Sequence, residues 1–124
     1  GVLRVADRYR RDRRDGGEMR KLEGMYLGKL VRLGCVRCRY ECEQCGWDYT
    51  PPDPSLQETV IHHLRAWEGG AQRAENWLAV PLCVACHTGS HGVHGDKLLL
   101  RQFKLDEGDL LCLTLRYYHE TYGV

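Results

Sequence analysis

The chain has 124 residues, of which 43% are hydrophobic and 28% charged, with a formal net charge of +1. Those values fit one soluble globular domain, large enough for a modest core and short enough to gain from a metal staple. No apolar run approaches the roughly 20 residues that cross a bilayer, and no secretory hydrophobic region is visible, so a membrane partner is not expected.

The near-neutral total hides an asymmetry. Residues 1 to 22 hold eight Lys/Arg against four acids, formally about +4, leaving about −3 for the rest. Residues 1–18 are expected to form a basic, poorly ordered arm suited to a polyanionic partner, with a single domain over 19–124. From Glu18, Leu22, Met25, Tyr26, Leu30 and Leu33 recur at helical spacing and Gly34 follows, which predicts a helix with one buried face.

Next comes GCVRCRYECEQCG, two C-x-x-C pairs, Cys35/Cys38 and Cys42/Cys45, which reads as a knuckle without regular structure between them. Pro51, Pro52 and Pro54 then mark a loop. A short strand is predicted over Thr59 to Leu64, which would send His62 and His63 to opposite sides. A loop from Arg65 to Trp77 carries Gly69 and Gly70 and leads to a second strand over Leu78 to Leu82, ending at Pro81. Cys83 opens a short helix that Gly89, Gly92 and Gly95 end early. Beyond Lys97 the chain is mostly helical, with Asp106 as N-cap, Glu107 and Asp109 in the first turn, and Leu111, Leu115, Tyr118 and Tyr122 on one face. The seventh cysteine, Cys112, is expected to fill a small place in the core, and Trp47, Trp67 and Trp77 to anchor core or loops.

Three C-x-x-C pairs point to metal rather than disulfides, because a two-residue gap lets both thiolates reach one tetrahedral Zn2+. Cys83 and Cys86 form the strongest pair. Cys42/Cys45, helped by the turn residue Gly46 and nearer the histidine strand, is slightly preferred over Cys35/Cys38 to complete a structural zinc. Cys83-Val84-Ala85-Cys86-His87 also matches a c-type haem attachment, but that leaves the upstream pairs unexplained. A zinc deaminase is excluded because no Glu lies two residues after His62 or His63.

The histidines suggest hydrolysis. Cutting a phosphodiester needs a base for water and a cation for the charge that develops on phosphate and leaving oxygen. His63 can be the base, with His62 and His87 as metal ligands. The third ligand is either His91, one turn beyond His87 if the helix continues, or His94 in the Gly-Val-His-Gly turn. Arg65 and Arg73 flank this stretch and suit backbone phosphates.

The strings VIHHL, then Asn76, then LAVPLCVACH resemble the HNH (ββα-metal, His-Me finger) endonucleases with zinc-binding cysteines. The wider frame from Tyr26 to Leu115, YLGKLVRLGCVRC to DLLCLTL, is similar to the phage Ref-type, RecA-dependent branch. The resemblance implies an α+β fold, a small zinc-stapled ββα-metal core between N- and C-terminal helices. It implies a DNA endonuclease linked to recombination, with His63 as base, Asn76 holding the base loop, and His62 and His87 as ligands of Mg2+ or Mn2+, with Zn2+ able to take that place. The family's last histidine fits His94 by its GVHGD context and His91 by the His-x-x-x-His spacing; His94 is narrowly preferred. DNA, a RecA-type recombinase filament and the cytoplasm of a bacterial host follow as partners and location. The rival class is a non-catalytic, zinc-stabilised nucleic-acid-binding module.

Overall fold

The computed structural model describes residues 17–64 and 75–123; the arm up to residue 16, and Arg65, Trp67 and Arg73, lie outside the described residues. Within them the chain is a mixed fold of five helices and one two-stranded antiparallel sheet. No described helix is long and apolar enough to cross a membrane.

Helix α1 (Gly17–Leu33) has Glu18 in its first turn and Arg32 in its last, each favourably placed against the helix dipole. Its buried stripe begins differently from the expected one. Leu22 and Met25 are 44% and 53% exposed, while Glu23 is 4% exposed and continues the line of Tyr26, Leu30 and Leu33. A carboxylate thus occupies a core-facing position, and its partner is described below. Gly34 ends the helix at φ 78°, and a Cβ there would collide with the Tyr49 hydroxyl.

The knuckle is in fact helical. Helix α2 (Val36–Cys45) runs through both C-x-x-C pairs and stops at Gly46, in the left-handed region at φ 74°. Two cysteines three apart fit the N-terminal edge of a helix as readily as a turn, so the spacing did not exclude it.

Strands β1 (Thr59–His63) and β2 (Ala79–Cys83) pair from Thr59↔Cys83 to His63↔Ala79. One further backbone bond, Leu64 N–H to Leu78 O at 3.0 Å, extends the contact past the ladder. Pro81 does not end β2 but sits at its centre opposite Ile61. A two-stranded sheet has only edges, so the missing N–H can face away from the partner strand. All of β2 is buried, with α1, α2 and the C-terminal helix packed against it.

The short helices α3 (Val84–His87) and α4 (Leu98–Arg101) lead to α5 (Glu107–Tyr122). Asp106 caps α5 as expected, in a reciprocal capping box with Asp109. Leu110, Leu111 and Tyr117 are buried, but Leu115 and Cys112 are exposed, so neither belongs to the core face. Rings tie the two long helices together: Tyr26 lies 5.3 Å from Tyr118, which lies 4.9 Å from Tyr122, and the Tyr122 hydroxyl donates to Lys29 O at 2.9 Å. Trp77 joins this seam 5.0 Å from Tyr26, whereas Trp47 is 65% exposed and anchors no core.

Candidate metal centres

Cys35 and Cys38 stand at the N-cap and third position of α2, and Cys83 and Cys86 at the same positions of α3. Both N-cap residues are extended (φ −69°, ψ 117° and φ −72°, ψ 164°), and neither side chain caps its helix. A serine or aspartate there would turn its oxygen onto the third backbone N–H. A thiol is a poor substitute in that role, which leaves both sulfurs of each pair available to a shared centre.

The four sulfurs lie within 4.8 Å of one another. Cys38 Sγ is 3.9 Å from Cys83 Sγ and 3.8 Å from Cys86 Sγ. A disulfide requires about 2.05 Å. A tetrahedral zinc with Zn–S of about 2.3 Å requires sulfur–sulfur edges of about 3.8 Å. The cluster therefore fits a metal such as zinc and not a crosslink. It corrects the preference for Cys42/Cys45: those residues sit on the last turns of α2, Cys45 is exposed, and neither joins the cluster. The haem reading also loses its basis, since the sulfurs of Cys83 and Cys86 face Cys38 and His87 belongs to a different group.

Hydrogen bonding from Cys35 holds Cys83 and Cys38 below the ordinary thiol value, while the same network pushes Cys35 and Cys86 up. Binding a cation would deprotonate all four. The buried Arg37 supplies a countercharge: burial would lower its guanidinium, but Cys86, Glu41 and Cys38 together hold it above its usual value. Arg37 is fixed by Leu99 O at 3.0 Å, Glu41 at 2.9 Å and Gln102 at 2.8 Å. Tyr49, seated over Gly34, accepts the Cys35 N–H at 3.1 Å and so holds the first ligand's backbone.

A second group begins one residue after Cys86. Nitrogens of His62, His87 and His94 lie within 4.8 Å of one another, with ring centroids 4.6 to 5.2 Å apart and steeply inclined planes. The sequence distance between His87 and His94 is closed by a backbone clamp, Val93 N–H to Cys86 O at 2.8 Å and His94 N–H to His87 O at 3.0 Å. Gly92 permits it, because a Cβ there would approach Ala85 O and Cys86 O to 2.6 Å. His91 is not in the group. Its candidacy needed α3 to run another turn, but the helix stops at His87, and His91 points into solvent beside Asp96, 3.0 Å away. Three imidazole nitrogens could hold one cation and leave a coordination position for water or substrate. His62 is 2% exposed, and its Nε2 lies 2.6 Å from Glu107 Oε1 on α5.

His63 faces a different set of partners. Its Nε2 lies 2.7 Å from Asn76 Oδ1, and Asn76 Nδ2 donates to Glu23 Oε1 at 3.2 Å. The amide oxygen can only accept, so Nε2 carries the proton and Nδ1 the lone pair. Glu23, through the amide, fixes which way Asn76 points.

Comparison of the chain with protein-family models, curated proteins and solved structures finds no match. Geometry alone therefore describes these centres. The structure brings together Cys35, Cys38, Cys83 and Cys86, then His62, His87 and His94, and separately His63 with Asn76. Glu23, Tyr49, Arg37 and Glu107 were not singled out in sequence as site residues. Only Glu23 left a trace there, as an acid in register with an apolar stripe.

Proposed function

We propose that this chain is a metal-dependent DNA endonuclease of the HNH (ββα-metal) class, hydrolysing phosphodiester bonds. One observation carries the proposal. Consecutive residues of β1 serve two different centres: His62 joins the three-histidine group, and His63 is held by Asn76 with its lone pair on Nδ1. A hydrolytic site needs this pairing of a cation seat with an oriented base.

A divalent ion held by His62, His87 and His94 would offset charge on the phosphate and the leaving oxygen. His63 takes the proton from the attacking water at Nδ1, and Asn76 keeps the ring turned for that transfer by holding Nε2–H. The four-cysteine centre fixes the start of α3, and through it His87, so the staple positions the chemistry. Three imidazoles suit Mn2+ or Zn2+ better than Mg2+, which prefers oxygen ligands and retains its waters. The basic arm supplies charge for a DNA backbone, and a recombinase filament is the partner that the sequence resemblance adds.

The test is incubation of plasmid with the protein and Mn2+, Mg2+ or Zn2+, alongside His63→Ala. Cutting by the parent and its loss in the variant is the expected result. Persistent cutting by the variant would remove His63 as base. No cutting by either, with DNA still bound, would establish the non-catalytic binding module instead.

A further inference from the structure

We propose that Glu107 is the positioning residue of the three-histidine centre, holding His62 by Nε2 so that His62 meets a bound cation through Nδ1. The inference rests on the three-histidine group as a metal seat and is independent of whether DNA is the substrate.

Glu107 Oε1 lies 2.6 Å from His62 Nε2, and the His62 ring is almost wholly enclosed. A carboxylate at that distance accepts a hydrogen bond from Nε2–H, which puts the neutral ring's lone pair on Nδ1. Glu107 touches His62 without joining the group of mutually close nitrogens, so it orients a ligand rather than adding one. Its own place is fixed: it is the first residue of α5, enclosed by the capping box in which Asp106 accepts Asp109 N–H at 2.8 Å and donates its own N–H to Asp109 Oδ2 at 2.9 Å. The C-terminal helix thereby contributes to a centre whose histidines all lie on the sheet, on α3 and on the loop that follows it. A carboxylate behind a ligating histidine fixes its tautomer and raises its basicity, and losing such a partner typically weakens metal binding about 10- to 100-fold.

Cobalt titration of the full chain tests this. The thiolate-to-cobalt charge-transfer band reports the four-cysteine site, and the d–d absorption added after that band saturates reports the second cobalt. Glu107→Ala should leave the charge-transfer band intact and weaken the second site about 10- to 100-fold. Glu107→Gln, which keeps an accepting oxygen, should recover part of that loss with an unchanged d–d band shape. Affinity in Glu107→Ala within twofold of the parent would overturn the proposal, as would a changed band shape in Glu107→Gln, the mark of a lost oxygen ligand. If the parent binds no second cobalt, the metal seat itself fails, and with it this inference. A measurement needing no variant covers a failure of Glu107→Ala to fold: long-range proton–nitrogen correlation of the metal-free chain should show His62 protonated at Nε2, and protonation at Nδ1 would overturn the assignment.

Discussion

The two candidate metal centres adjoin at Cys86 and His87 and are built on opposite terms. The four-cysteine cluster would give a tetrahedral ion every ligand from the protein, three of them buried, with no position to spare. The three-histidine centre grades outward, from enclosed His62 through half-buried His87 to exposed His94, and three ligands leave room for one more. Closure suits a staple, and an open face suits an exchangeable ligand. The contrast teaches how a short chain with a modest core can stiffen an open site: the closed cluster is placed one peptide bond from the open one.

The sharpest way to break the comparison is to open the closed centre. Cys86→Ser, or a strong chelator on the parent, should lower zinc content and abolish cooperative thermal unfolding. Structural zinc binding is worth about 10 to 16 kcal/mol in small domains, comparable with the whole stability of a fold this size, about 5 to 15 kcal/mol. His63→Ala should be silent in both measurements yet lower plasmid cleavage by about 10²- to 10⁴-fold. Asn76→Ala should lie between the two. It frees the His63 ring, reducing cleavage about tenfold or more on the low side of the general-base effect, and it leaves Glu23 buried without its donor, costing about 1 to 3 kcal/mol in urea unfolding. Smallest of all should be the double change Cys42→Ser and Cys45→Ser, with bound zinc unchanged and stability within about 0.5 kcal/mol of the parent. Zinc lost in that variant would mean the closed centre has been assigned to the wrong pair.

Much of both centres was legible in the chain, because their ligands sit in short repeating patterns. The Cys83/Cys86 pair and the placing of His62 on one side of a strand and His63 on the other follow from local spacing, whereas the preference for His94 came from the family resemblance of its GVHGD context, against a spacing that picked His91. Choosing between Cys35/Cys38 and Cys42/Cys45 was different, since both have the same spacing and only the helix of residues 36–45 decides which end of it meets α3. His91 was a candidate only while α3 was allowed a second turn. The roles of Glu23 and Glu107 could not be read, because each acts across 45 or more residues, on Asn76 and on His62; Glu23 showed only as an acid in register with an apolar stripe, and Glu107 as an ordinary first-turn acid. The exposure of Leu22 and Met25 has the same origin: a polar group with a distant partner took the place on α1 that hydrophobicity alone assigned to them.

The clamp that joins residues 93 and 94 to 86 and 87 also bears on what the two sites cost in chain entropy. It closes a loop of a few residues with main-chain bonds, whereas Cys38 and Cys83 meet across 45. Loop-closure entropy grows with the logarithm of length, so the longer loop costs about 1.6 kcal/mol more to close. The seat for His87 and His94 is therefore the part of the two sites that costs least chain entropy to close. His62, Glu107 and the upstream cysteines reach the same region only by closing longer loops, each at a greater entropic cost.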